Sequence, residues 1–194
     1  MTVSPLTFLH SSRFDVPAKY IYAKFLEEGY DSSFGEELYL AHLKVWNDCM
    51  HGDGKEGEEE YINSFKETLS SIKNEGFDPE KSSVAITKDY KLLNGWHRAA
   101  ACLLYDKYPS YEYGGRGETD VNYRYFMGKS NFVEGGLPKE YCDAIALEYC
   151  RLKPNTLIAT VFPSAQGDFA EAEKLSLIHI WRCRRYSLCR SRWS

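Results

Sequence analysis

Five consecutive residues, Asn94-Gly95-Trp96-His97-Arg98, bring together side-chain types that can hold a phosphate. Gly95 permits a tight turn where a side chain would clash. An alanine-rich run, Ala99-Ala100-Ala101-Cys102-Leu103-Leu104, follows at once and reads as a helix. The first turn of such a helix presents unpaired N–H groups, and its dipole favours an anion there. Arg98 can fork onto phosphate or carboxylate oxygens. His97 can donate a further bond or move a proton. The plainer alternative is a hairpin-to-helix turn in which Arg98 merely pairs with a surface acid.

The elements around these residues must deliver that geometry. Val84-Ala85-Ile86 is a short apolar strand, Thr87 to Lys91 a polar turn, and Leu92-Leu93 a second strand leading into the turn at Gly95. This order of strand, NGWHR and AAACLLY resembles the nucleotide-phosphate box of the ParB/sulfiredoxin-like superfamily. There a Gly-x-(His/Arg)-Arg turn opening a helix holds the phosphates of ATP or CTP. Gly95, His97 and Arg98 match the pattern, and the resemblance covers residues 75–110. It implies a phosphate-binding set of Asn94, Gly95, Trp96, His97 and Arg98, with ATP or CTP and Mg2+ as the cofactors. Sulfiredoxins carry their reactive cysteine just before the His-Arg pair, and here Trp96 stands there, so sulfiredoxin thiol chemistry is not expected. The free-serine kinases of the fold place an aspartate before the glycine, where this chain has Asn94, and an amide is a poorer magnesium ligand than a carboxylate. A phosphotransferase or nucleotide hydrolase would also need a carboxylate for the metal or as a base. Asp15 and Asp89 are the candidates beside His97, Asp15 because the N-terminal segment of this fold often returns to the site.

The last residues, Leu175 to Ser194, read LSLIHIWRCRRYSLCRSRWS. They resemble the translation of a transposase sequencing adapter, with Trp181 at a TGA codon and Tyr186 to Leu188 filling an index. The expectation is that residues 175–194 are an artefact and that the native chain continues past Lys174. The rival reading is a basic arm for nucleic acid, since this tail holds five arginines and no acids. The whole chain carries a formal charge of −4; without those arginines, 19 basic side chains face 28 acidic ones. Such an acidic balance disfavours a non-specific nucleic-acid binder.

Of six cysteines, Cys49, Cys102, Cys142 and Cys150 lie outside that tail, and none of these four forms a CxxC pair. A zinc site is not expected from that spacing. No signal peptide and no membrane-spanning run is legible, so the chain reads as cytoplasmic.

The flanking segments read as helices. Pro17 suits a first turn, with Asp15 or Ser12 as a cap and Gly29 as the stop. Ser33 with Glu36 reads as a capping box, ahead of an apolar face of Leu38, Leu40, Ala41, Leu43, Val45 and Trp46. His42 sits on that helix as a structural or surface histidine. Met50 to Glu60 is a charged, glycine-containing loop. Tyr61 to Asn74 is amphipathic through Ile62, Phe65, Leu69 and Ile72. Asp106 to Asp120 reads as a loop, Val121 to Phe126 as a half-exposed strand, Leu137 to Lys153 as a helix, and Leu157 to Phe162 as a buried strand. The expected class is therefore α/β (α+β): a helical N-terminal region (1–75) packed on a small mixed sheet in a phosphate-binding core (76–130). A helix-strand segment (131–174) would begin a second domain.

Three functions follow from this reading. The first is a nucleotide phosphate-binding protein with phosphotransferase or hydrolase activity. The second is a non-catalytic module for a nucleotide or other phosphorylated small molecule, linked to surface-polysaccharide biosynthesis. The third is a ParB-like DNA-associated protein, which the acidic charge disfavours.

Overall fold

A computed structural model of the chain describes residues 1–29, 33–49, 55–114, 120–128 and 135–153. Residues Met1–Leu152 form one unit. The segments read as a strand at Leu157 to Phe162, the loop after it and the adapter-like tail lie outside the described residues, as do Gly115, Arg116 and Gly117.

A 3-10 turn, Pro5–Phe8, precedes α1 (Asp15–Glu28). Helix α1 ends at Gly29 in the left-handed conformation (φ 66°) that glycine adopts without strain. Its start differs from the expectation. Neither Asp15 nor Ser12 caps it, because Asp15 accepts from the Arg13 guanidinium and the Ser12 hydroxyl bonds His10. Helix α2 spans Ser33–Asn47. Ser33 is its first residue, and Glu36 accepts a 2.8 Å bond from the Tyr22 hydroxyl. Helix α3 (Glu58–Glu75) begins one turn earlier than the apolar spacing implies. Glu58, Glu59 and Glu60 occupy its first turn, where negative charge complements the helix dipole.

Strands β1 (Val84–Ile86) and β2 (Leu92–Asn94) pair antiparallel, with an irregular register between Ala85 and Ile86. Helix α4 (Trp96–Leu104) follows, and β3 (Tyr111–Tyr113) then lies parallel to β1, giving the order β2-β1-β3. The sheet is thus small and mixed. Strand β3 falls in a segment the sequence presents as a loop. It is a three-residue edge strand with only partial burial, too short to show an alternating pattern. The expected strand at Val121 to Phe126 is instead the start of α5 (Tyr123–Gly128). The Asn122 side chain accepts from the Tyr125 N–H at 3.2 Å, a helix-start bond that outweighs the alternation of VNYRYF. Helix α6 (Lys139–Leu152) closes the described chain.

The core has three parts. Tyr22, Tyr39, Phe65 and Leu69 pack on Ala100 to Cys102 of α4. Ala18, Leu38, Val45, Phe126 and Ile145 join α1 and α2 to α5 and α6. Phe8, Val16, Val84, Ile86, Leu92 and Ala99 lie under the sheet. The small side chains Ala99 to Cys102 are all at most 1% exposed, which lets α1 and α3 approach the α4 backbone. Among the described residues, no helix is long and apolar enough to cross a membrane.

The turn into α4 needs glycine. Gly95 has φ 88°, and a Cβ there would stand 2.9 Å from Val84 Cγ1. Gly95→Ala is expected to cost about 2 kcal/mol through the positive φ and that overlap. Adding Val84→Ala should return part of the loss only if the overlap contributes. Urea denaturation of the single and double variants measures both terms.

Candidate anion-binding site

Helix α4 starts at the end of β2, so its N-terminus opens beside α1, α2 and α3. Asn94 is exposed, and its side-chain oxygen accepts a 2.6 Å bond from the Gly95 N–H. That bond fixes the turn. The Arg98 guanidinium folds back over Gly95: its Nη2 would lie 3.2 Å from a Cβ at that glycine.

In front of this helix end lies a cavity of about 210 Å³. All five box residues line it, and so do Lys19 of α1, Lys55 and Thr68. Tyr61, Trp46, Asn47 and Leu43 complete the wall, so no carboxylate lines it among the described residues. The side chains of Lys19, Lys55 and Arg98 have no hydrogen-bond or ion-pair partner there. Lys55 instead lies 5.8 Å over the Tyr61 ring. Among the described residues Arg98 makes no hydrogen bond or ion pair with an acid; Glu112 acts on it only through its charge.

Lys19 is the most deeply placed of these cations, at 2% exposure. Burial lowers its pKa to about 8; Asp15 opposes that shift and Arg13 adds to it. Its ammonium lies 6.0 Å from the Trp96 ring centre, and the Arg13 guanidinium lies 5.2 Å from the same ring. The Trp96 Nε1 donor and the Asn47 side-chain oxygen are buried without partners. Buried polar atoms ordinarily find partners, and each one left without costs about 1–3 kcal/mol. The Trp96 Nε1 donor and the three cations could each serve a group that accepts hydrogen bonds, whereas the Asn47 oxygen would need a donor.

His97 is held as a neutral ring. It makes a 2.8 Å bond through Nε2 to the Tyr39 hydroxyl and packs 4.7 Å from Phe65. Burial first, then the charges of Lys19, Lys55 and Arg98, keep its pKa well below the ordinary range. His42 lies one layer behind, fully buried against Phe126 (4.8 Å), with both ring nitrogens unpartnered. Burial, then Lys19, His97 and Arg13, depresses its pKa in the same way. Both rings therefore bind protons more readily when the chain is unfolded. Their stabilising effect is complete above about pH 6.5 and is lost as pH falls towards their folded pKa values. For His42 alone, stability is expected to fall as pH drops below about 6.5. Urea unfolding across that range should lose this slope in His42→Leu.

The two proposed carboxylates stand elsewhere. Asp15 is 3% exposed and is gripped by Arg13 through Nε (3.2 Å) and Nη2 (2.9 Å), behind Trp96 rather than on the cavity wall. The N-terminal segment does return to the box, with Arg13 as the residue that touches it. Asp89 is exposed in the turn between β1 and β2 and does not line the cavity. Among the described residues, no group of three or more His, Cys, Asp or Glu is placed to hold a metal ion.

Lys19, Lys55, Asn47, Tyr61 and Thr68 escaped the sequence reading. One signal for Lys19 was present. It falls on the stripe of α1 that also carries Asp15, Tyr22 and Ala23, all buried, and a lysine on an apolar stripe is uncommon enough to mark a site. No protein-family model, no curated protein and no solved structure matches this chain.

Proposed function

We propose that the chain binds the phosphate group of a small ligand at the N-terminus of α4. The observation that carries this reading is the convergence of Lys19, Lys55 and Arg98, without a carboxylate partner among the described residues, on one cavity walled by NGWHR. In an acidic chain, three cations without a directly bonded carboxylate around a helix N-terminus favour an anion there. The ParB/sulfiredoxin-like resemblance names ATP or CTP as the source of that phosphate.

The cavity is smaller than the 300–1,000 Å³ typical of sites that enclose a drug-sized molecule. It suits the phosphate end of a nucleotide or a short phosphorylated compound. Its described lining offers amide oxygens but no carboxylate for Mg2+, so the donor set does not fit a protein-held magnesium. That favours the binding module over the phosphotransferase or hydrolase. Cations directed into one concavity suit a discrete anion better than the backbone of DNA.

The test is a thermal-shift series with ATP, CTP, GTP and pyrophosphate, each with and without magnesium. At a hundred times Kd, a ligand specific for the folded state adds about 2.7 kcal/mol, a rise of roughly 5 °C or more. Arg98→Ala should weaken binding about tenfold or more, since it removes a charged donor. A flat response to all four ligands would overturn the proposal.

A further inference from the structure

We infer that Lys19 is an amine nucleophile, and that the cavity takes a short phosphorylated aldehyde or ketone, which condenses with Lys19 Nζ to form an imine. This deepens the phosphate-binding reading and rests on it. The argument begins from placement. Lys19 is 2% exposed yet lines the cavity, and its ammonium has no hydrogen-bond or ion-pair partner among the described residues. Phosphate binding at a surface needs only a solvated lysine. A lysine set this deep, with the Arg13 guanidinium also near the Trp96 ring and two histidine rings near it, is in the setting that activates an amine.

The surroundings agree chemically. Asp15 is the near carboxylate, one turn away, but it is held by Arg13 and so cannot grip the ammonium. The lowered proton affinity of Lys19 follows from that burial and leaves a usable fraction of neutral amine near neutral pH. The cavity size points the same way: it has room for a phosphate and a few further atoms, which sets the carbonyl of a short compound against the walls beside Lys19. Trp96, Trp46 and Tyr61 line the same cavity as Lys19.

The step balances without a co-reactant. The neutral Nζ lone pair adds to the carbonyl carbon, and the C=O π pair passes to oxygen. A proton moves from nitrogen to that oxygen, and the carbinolamine loses its hydroxyl, with one more proton, as water. The product is the imine, with no change in the redox state of either partner.

The experiment uses the full chain with glyceraldehyde 3-phosphate and, in parallel, with unphosphorylated glyceraldehyde, each followed by sodium borohydride. Peptide mass mapping then locates the reduced adduct. The expected result is labelling concentrated at Lys19, at least tenfold faster with the phosphorylated aldehyde, and suppressed by pyrophosphate. Arg98→Ala should remove the advantage of the phosphate while leaving Lys19 present, so the inference does not depend on a Lys19 variant folding. Labelling spread evenly over surface lysines, together with a pyrophosphate thermal shift, would overturn the imine and leave phosphate binding standing. Even labelling with no thermal shift would overturn both.

Discussion

Asp15→Ala is expected to lose about 3–5 kcal/mol of stability, because removing one member of a buried ion pair leaves its partner's charge uncompensated. The pair is well made: Arg13 donates through both Nε and Nη2, and both side chains are 4% exposed. Asp15 also sits in the first turn of α1, where a carboxylate complements the helix dipole. The consequence reaches the cavity, since the freed guanidinium is the group packed on the Trp96 ring. Chemical denaturation of Asp15→Ala and Asp15→Asn measures the cost. If Asp15 is structural, a double variant with Arg13→Met should recover most of the loss. If both single variants stay as stable as the wild type, the pair is not what holds the N-terminal segment against the box.

Lys19→Met is expected to act in the opposite direction on stability while destroying binding. Lys19 has its pKa lowered from 10.5 to about 8 on folding, chiefly by burial. That difference corresponds to about 3 kcal/mol by which the folded state disfavours the ammonium at pH 7. The sign follows from proton counting: between about pH 8 and 10.5 the unfolded chain holds the extra proton, so stability rises with pH across that window. Below it, the full penalty is present. A thioether of similar length removes the penalty, and Lys19→Met should gain about 2–3 kcal/mol at pH 7 while losing the rise above pH 8. Anion binding should weaken at least tenfold in the same variant. A gain in stability paired with a loss of binding is the signature of a residue kept for function. Lys19→Met that is destabilised and still binds pyrophosphate normally would show the amine to be a structural group.

The contrast between these two residues explains how much of the site could be read in advance. Gly95, His97 and Arg98 were legible because a turn, a ring and a fork sit in consecutive positions, and consecutive positions are held together by the backbone itself. Helix α3 and helix α6 were legible because their apolar spacing repeats over several turns. Strand β3 was not, since three residues show no period, and its pairing with β1 depends on a partner 27 positions earlier in the chain. At α5, the alternation of VNYRYF pointed to a strand, and the Asn122 bond to the Tyr125 N–H decided for a helix. Asp15 was recognised as a residue of consequence, but its partner is Arg13, two positions away, and the cavity it was matched to is lined by Lys19 instead.

By itself, the sequence determined the turn at Gly95, the order of strand, turn and helix, the mixed helical and sheet composition, and the side-chain types gathered in the box. These are local properties, fixed by φ preferences, helix caps and side-chain types within a few residues. Only the tertiary structure decided that Lys19 and Lys55, respectively 79 and 43 positions before Arg98, would face the same cavity without acids among the described residues. The physical reason is that charge convergence depends on how α1 and α3 pack on the small side chains of α4, and chain spacing carries no record of that packing.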